Sequence, residues 1–308
     1  MTRTAVLVGL AALSLPLLAA CAGPSHQSDA EALRDQLAAL PGVSKATLDY
    51  TEPVTLDSGK LQLQVAMSKD ADADQVTEVV ATTYAAFADT HRAEEGDLDV
   101  RVGGDVLHLR SFEPEADVTA VQEAAVQAVA VLPGGKVRAD INTQDVSKEP
   151  HVFTTFSVAV EEPGRESVLE KLATLETEHA DIPDAGWRVQ SGGRSGWLVS
   201  ADEAFPGTEV LALFDELGDG LPDGATVRLY DDFAEVRLPA DTSPEEASAV
   251  VGRHLRSLGG VQDAWYDVQS GRTLLASISD GDCFFDTGAI GKRLEQDHGA
   301  GCAEVTHP

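Results

Sequence analysis

The chain has 308 residues and carries 52 acidic against 22 basic residues, a formal net charge of −30. This charge argues against binding to nucleic acid and against electrostatic docking on anionic lipid, because phosphate groups would be repelled. Apolar residues make up 43% of the chain, so wholesale disorder is excluded and a packed structure of about two to three domains is expected.

The first twenty residues have the pattern of a secretion signal. Arg3 is their only charged residue, and an uncharged apolar run extends from Ala5 to Ala20. A run of sixteen residues that contains Pro16 is short for a helix that must cross about 30 Å of hydrocarbon, which disfavours an uncleaved anchor helix. We therefore predict that residues 1–20 are a signal peptide.

The predicted signal ends in a lipidation motif. Leu18-Ala19-Ala20-Cys21 resembles the lipobox of bacterial lipoprotein precursors, in which cleavage frees an acylated cysteine. The resemblance implies that Cys21 is the mature N-terminus and that its acyl chains hold the protein on the extracytoplasmic face of the cell membrane. Residues 22–28 are small and polar, so residues 21–28 are expected to form a lipidated tether. Abundant Ala, Gly, Val, Asp and Arg with little Lys is similar to the composition of GC-rich genomes such as those of actinobacteria.

Seven helices are predicted from apolar residues that recur with the helical period. In the second of them, Val76, Val80 and Phe87 fall on one face. The sixth begins with Ser243 as a cap and Pro244 at the first helical position. The predicted helices span residues 29–40, 72–90, 117–132, 164–179, 207–217, 243–258 and 286–297.

Short stretches in which apolar and polar residues alternate are predicted to be strands with one buried face. Turn residues such as Gly103-Gly104-Asp105 and Ser270-Gly271 lie between paired stretches and predict hairpins. Helices are therefore expected to cover one face of antiparallel sheets. The clearest predicted strands span residues 61–67, 98–102, 137–141, 187–189, 227–229 and 236–238.

A weak internal repeat accompanies this order of elements. Leu40-Pro41-Gly42-Val43 and Leu258-Gly259-Gly260-Val261 each follow a helix. The pattern predicts an α+β fold of tandem ferredoxin-like modules with Glu149-Pro150 as a linker, although starting each module one element earlier fits almost as well. Such a fold implies no particular activity. The predicted organisation is a signal peptide (1–20), a lipidated tether (21–28), a leading helix and strand (29–58), and modules at 59–148, 149–232 and 233–308.

Two cysteines remain once Cys21 is assigned to lipid. Cys283 and Cys302 belong to a chain that is expected to be exported to oxidising surroundings, where disulfides form. Closing a loop of about twenty residues stabilises a protein by roughly 3 kcal/mol in the chain-entropy model. We predict a disulfide between them in the third module. A redox or metal role is less favoured, because the spacing is far from Cys-x-x-Cys.

The acidic clusters resemble metal sites only in part. Asp70-Ala71-Asp72-Ala73-Asp74 has the first ligand positions of an EF-hand loop, but Gln75 stands where that loop needs glycine and Ala81 where it needs glutamate. A helix cap is predicted there instead. Asp280-Gly281-Asp282 with Asp286 is predicted to be a turn followed by a cap, with a weak surface cation site as the alternative.

No other segment has the pattern of a catalytic or cofactor site. Residues 191–196 are rich in glycine but link two predicted strands, and Trp197 excludes a nucleophile elbow around Ser195. Trp187, Trp197 and Trp265 lie in or beside predicted strands, so they are expected in the core or in hairpin pairs rather than in a ligand platform. The eight histidines show no zinc-binding spacing. No catalytic residue, cofactor or metal site is therefore predicted.

Three classes of function are compatible with these patterns. The favoured one is a non-enzymatic binding or scaffold module in the cell envelope, since repeated small modules offer a binding surface and no catalytic set of residues is recognised. The alternatives are a solute-binding lipoprotein with a closed pocket lined by tryptophans and, less favoured, an envelope hydrolase with two close carboxylates, one of raised pKa, in a deep cleft. The expected partners are the membrane, through the lipid anchor, and an envelope protein or a small solute. The acid excess serves solubility, or it marks a site for cations or a basic partner.

Overall fold

The computed structural model of the protein describes most of the chain beyond the predicted signal peptide. Cys21 and the Glu149-Pro150 linker lie outside the described residues, as do Asp280 and Gly281 of the second acidic cluster. The described residues are 25–54, 57–112, 114, 116–132, 136–143, 152–259, 265–279, 282–302 and 304–307.

Seven α-helices lie in the described part of the chain, and each overlaps a predicted helix. The cap predicted for the sixth helix is present: the Oγ of Ser243 accepts a hydrogen bond from the Glu246 N–H at 3.2 Å. None of these helices combines the length and the apolar character that a membrane span needs. The helices are α1 (Gln27–Ala38), α2 (Ala73–Ala88), α3 (Val118–Val131), α4 (Arg165–His179), α5 (Thr208–Gly218), α6 (Pro244–Leu258) and α7 (Ala289–His298).

The described strands form one fourteen-stranded sheet in which the order across the sheet is the order along the chain. The strands are β1 (Val43–Thr51), β2 (Lys60–Met67), β3 (Glu95–Val102), β4 (Asp105–Ser111), β5 (Val137–Asn142), β6 (Phe153–Val160), β7 (Ala185–Ser191), β8 (Leu198–Ala201), β9 (Thr226–Leu229), β10 (Phe233–Leu238), β11 (Trp265–Ser270), β12 (Thr273–Ile278), β13 (Asp282–Phe285) and β14 (Glu304–Thr306).

Each of the helices α2 to α7 connects two parallel strands that are direct neighbours in the sheet. The remaining neighbours, such as β3 with β4, are antiparallel. The fold is therefore a mixed α/β structure with a mixed sheet, and the expectation of antiparallel sheets is wrong. The order of helices and strands in the sequence does not indicate whether neighbouring strands pair in parallel or antiparallel.

The strand order does not confirm tandem ferredoxin-like modules. In such a split βαβ module another strand separates the two strands that a helix connects, whereas here those two strands are adjacent. The sheet also continues across both predicted module boundaries, since β5 pairs with β6 and β9 pairs with β10. Strand register depends on contacts between distant residues, so the element string alone could not determine it.

One face of the sheet and the helices form a single hydrophobic core. Successive side chains of a strand point to opposite faces, so paired positions line up in rows across the sheet. Helix residues such as Leu33, Val121 and Leu294 pack into the same core as one such row. That row crosses ten strands through Val137, Val158, Val189, Val199, Leu229, Ala234, Tyr266, Ile278, Cys283 and Val305.

The disulfide predicted from the cysteine count closes the last part of the sheet. It joins Cys283 on β13 to Cys302, just after α7, with their Cα atoms 5.7 Å apart. Trp187 is in the core, as expected, and stacks between Phe156 and Phe205 with ring centroids 4.6 and 4.1 Å away.

Candidate binding face

The sheet face opposite the helices carries polar and charged side chains. On β3, Asp97 and Asp99 alternate with the buried core residues Leu98 and Val100. The alternation continues on the neighbouring strands, because register places Asp99, His108 and Asp140 side by side. We call this surface of the sheet, on the side away from the helices, the open face.

A histidine lies between two carboxylates on the open face. The Nδ1 of His108 is 2.9 Å from the Asp140 carboxylate, and its Nε2 is 3.3 Å from the Asp97 carboxylate. Burial alone would lower the pKa of His108, but the hydrogen bonds to Asp140 and Asp97 outweigh it and raise the pKa to about 9. His108 is therefore a cation at neutral pH, and both of its ring nitrogens donate.

Basic side chains balance the carboxylates around His108. The Lys60 Nζ is 2.8 Å from the Asp97 carboxylate, and the Arg138 Nε is 2.8 Å from the Asp140 carboxylate. The hydrogen bond from His108, helped by Lys60, holds the pKa of Asp97 well below its usual range in spite of burial. We call Lys60, Asp97, His108, Arg138 and Asp140 the histidine cluster. Its charges are paired with one another, so it resembles a structural network more than a reactive centre.

Three aromatic side chains line up on the second half of the open face. The Tyr230 N–H donates to the Phe233 carbonyl at 2.8 Å, and Phe233 pairs with Trp265 in the register between β10 and β11. The ring centroids of Tyr230 and Phe233 are 5.4 Å apart, and those of Phe233 and Trp265 are 6.4 Å apart. We call Tyr230, Phe233 and Trp265 the aromatic row.

Trp265 is held in place although half of it is exposed. Its side chain is attached to the sheet by the indole Nε1, which donates to the Asp267 carboxylate at 3.1 Å and to the Ser277 hydroxyl at 2.6 Å. The residue is 52% exposed. Trp265 thus pairs with Phe233 across strands, as expected for a tryptophan in the sheet, but it also presents a fixed ring to the surroundings.

Two guanidinium groups lie against the ring of Tyr230. The Cζ atoms of Arg188 on β7 and Arg228 on β9 are 5.7 and 5.9 Å from the ring centroid, within the range of cation–π attraction. Burial lowers the pKa of Arg228, while Tyr230 and Glu235 favour its charged form. Among the residues that the structure describes, no carboxylate forms an ion pair with Arg188.

No family model, curated protein or solved structure matches the chain. The function must be inferred from side-chain chemistry on the open face.

The candidates from the sequence lie apart from this face. Asp72 caps α2, because its carboxylate accepts from the Gln75 N–H at 2.9 Å, as predicted for this acidic cluster. Asp286 accepts from the Gly288 N–H at 2.8 Å in the turn before α7, but Gly288 is the N-cap and no side chain caps this helix, so the prediction of a cap at Asp286 is wrong. Residues 191–196 link β7 to β8, as expected. Within the described ranges, no group of three or more His, Cys, Asp or Glu side chains is arranged to hold a metal ion.

Two small clefts bear on the alternative functions. One of 290 Å³ lies at the turn between β9 and β10 and is lined by Glu209, Asp231, Asp232 and neighbouring apolar residues. The other, of 200 Å³, lies beside Lys60 in the histidine cluster. Neither is lined by a tryptophan, which a solute-binding pocket was expected to have.

Two described carboxylates, Asp202 and Asp267, have the raised pKa that a hydrolase was expected to need. Burial raises the pKa of Asp202, and the carboxylates of Asp231 and Asp232 add to the effect, but Asp202 itself lines neither of the two clefts.

Burial also raises the pKa of Asp267, and the nearby carboxylate of Glu235 adds to the effect. However, Asp267 lines neither of the two clefts and accepts hydrogen bonds from Trp265 and Ser277. Asp267 therefore positions the tryptophan ring in the described structure.

An alternating pattern of charged residues in the sequence indicates the open face, although neither the composition nor the motifs reveal it. Charged residues recur at every second position of β3, at Asp97, Asp99 and Arg101, and again on β4 at His108 and Arg110. Alternation of this kind indicates a strand whose outer side is solvated. The pairing of these residues across strands becomes visible only with the register.

Proposed function

We propose that the protein is a lipid-anchored, extracytoplasmic lipoprotein that acts as a non-enzymatic binding module of the cell envelope, with the open face as its binding surface. The observation that carries this proposal is the one-sided packing of the sheet. The helices and one face of the sheet share a single core, and the opposite face carries polar and charged side chains together with the half-exposed Trp265.

The electrostatics of the open face favour binding over catalysis. A general base works best when its pKa lies near the ambient pH. His108, with a pKa of about 9, is already protonated, and Asp97 is held ionised by His108 and Lys60. Charged groups that are fixed by one another are suited to recognise a surface and poorly suited to transfer protons.

The predicted anchor fits a binding surface that projects into the envelope. Cys21 and the tether precede α1, which packs on β1 at one edge of the sheet. Neighbouring strands are about 4.8 Å apart, so the aromatic row on β9 to β11 lies about 40 Å from β1 along the sheet. We propose that this separation keeps the row clear of the membrane to which Cys21 is attached.

Photo-crosslinking in cells tests the assignment of the open face. A photoreactive amino acid is placed at Thr155, which pairs with Asp140 on the open face, and in a matched variant at Val126 on α3, which is 55% exposed. We expect a discrete envelope component to be cross-linked from Thr155 and not from Val126. Equal products from both positions, or products from Val126 alone, would overturn the proposal.

A further inference from the structure

We propose that the aromatic row and Arg188 bind a sugar chain that carries acidic groups. This inference rests on the proposed function, because it assigns a class of ligand to one part of the open face. It is carried by a fixed, half-exposed tryptophan ring at one end of the aromatic row and, at the other end, a guanidinium that no described carboxylate neutralises.

The aromatic row is preorganised to stack on a ligand. Trp265 is held by two hydrogen bonds from its indole N–H and by the edge of Phe233, so little side-chain freedom is left to lose on binding. Aromatic rings stack on flat ligand faces that are apolar, and the C–H face of a sugar ring is such a surface. From Arg188 on β7 to Trp265 on β11 the row crosses four strand spacings, about 19 Å, which suits an extended chain.

The charge of the surface selects for acidic groups. The Arg188 guanidinium lies against the ring of Tyr230 at the end of the aromatic row, where it can pair with an acidic group of a ligand that stacks on the rings. The planar guanidinium of Arg188 matches the two oxygens of a carboxylate or a phosphate.

The surroundings limit how densely the ligand can be charged. Asp231 and Asp232 lie at the turn next to Tyr230, and the whole chain carries a net charge of −30. A dense polyanion such as nucleic acid would be repelled. A sugar chain has a neutral body that can stack on the rings and separate acidic groups that can meet Arg188.

Titration with defined oligosaccharides tests this inference on the full chain, purified in detergent. The probe is an oligogalacturonate in which alternate carboxylates are methyl esters, so that its acidic groups are separated, with a maltooligosaccharide of equal length as the neutral counterpart and oligoglutamate as an acidic chain without sugar rings. We expect the oligogalacturonate to bind more tightly than either counterpart. We also expect Trp265→Ala and Arg188→Ala each to weaken its binding by about tenfold or more, since each contact is expected to contribute at least about 1.4 kcal/mol.

Two further variants separate recognition from folding. Trp265→Phe keeps an aromatic ring and should retain more affinity than Trp265→Ala. Arg34→Ala removes an arginine from α1, where it pairs with Asp35, and should bind as the wild type does. Circular dichroism verifies that each variant is folded.

Three results would overturn the inference: no binding of the oligogalacturonate, equal binding of either counterpart, or an Arg188→Ala variant with unchanged affinity. Cross-linking from Thr155 would still stand in each of these cases, and it would point to another ligand on the open face. If neither the oligosaccharide titration nor the cross-linking from Thr155 gave the expected result, the open face itself would be excluded as the binding surface.

Discussion

His108 shows how single residues couple the open face to pH. Its pKa is about 9 in the folded protein against 6.5 for an ordinary histidine, so the folded state binds the proton more tightly. The resulting stabilisation is fully present below pH 6.5 and is lost as the pH rises through 9. We expect the free energy of unfolding of the wild type to fall by about 2 kcal/mol across this range, after allowance for solvent screening.

The variant His108→Gln should lack this dependence, because glutamine does not titrate. Asp140→Asn should reduce it, since the closest hydrogen-bond partner of His108 is then neutral. Urea unfolding at pH 6 and pH 9 measures the difference for each protein. If His108→Gln lost as much stability as the wild type over this interval, the assigned role of His108 would be wrong.

The sequence could not reveal this cluster. Asp97 and Asp140 lie 11 and 32 positions from His108, and only the register of β3, β4 and β5 brings them together. The same limit applies to Tyr230, Arg188 and Trp265. Residue types can be read from a sequence, whereas contacts between distant strands require the fold.

At the scale of elements, the cap of α2 tests the interpretation of an acidic motif. The Asp72 carboxylate accepts from the Gln75 N–H, and the Gln75 side chain accepts from the Asp72 N–H at 3.2 Å. Asp72→Ala should therefore lower the free energy of unfolding by about 1 kcal/mol. Asp70→Ala, a matched change two residues earlier, should have little effect because Asp70 does not cap the helix.

Thermal unfolding with and without calcium completes this test. A helix cap binds no ion, so calcium should leave the melting temperature of the wild type and of both variants unchanged. A calcium-dependent increase that disappears in Asp72→Ala would show that the motif is an ion site after all.

Elements were predicted well where their signals are local. All seven helices follow from apolar periodicity and from capping residues such as Ser243 and Asp72. Strand β8 is buried at all four positions, so it lacks the alternation that indicates a half-buried strand. Parallel pairing across each helix could not be predicted, because the string of helices and strands is the same in a ferredoxin-like module.

For the whole molecule, the sequential strand order implies that each strand is stabilised mainly by the strands directly beside it. Each strand pairs with its neighbours in the chain, as in repeat proteins whose units contact only adjacent units. Removing the disulfide with Cys283→Ser and Cys302→Ser should destabilise the last part of the sheet by roughly 3 kcal/mol. Hydrogen exchange should accelerate in β13, α7 and β14 but not in β3 to β5. Equal acceleration throughout would instead indicate one cooperative unit.

The attachment of the whole molecule to the membrane is expected to depend on one residue. None of the described helices is suited to span a membrane, and a net charge of −30 opposes adsorption to anionic lipid. If acyl chains on Cys21 are the anchor, Cys21→Ser should move the protein from the membrane fraction to the soluble fraction and abolish labelling with a fatty-acid analogue. Cys283→Ser with Cys302→Ser is the control, because it removes cysteines but leaves the lipidation motif. A Cys21→Ser protein that stayed in the membrane fraction without fatty-acid label would mean that another segment or a protein partner holds it there.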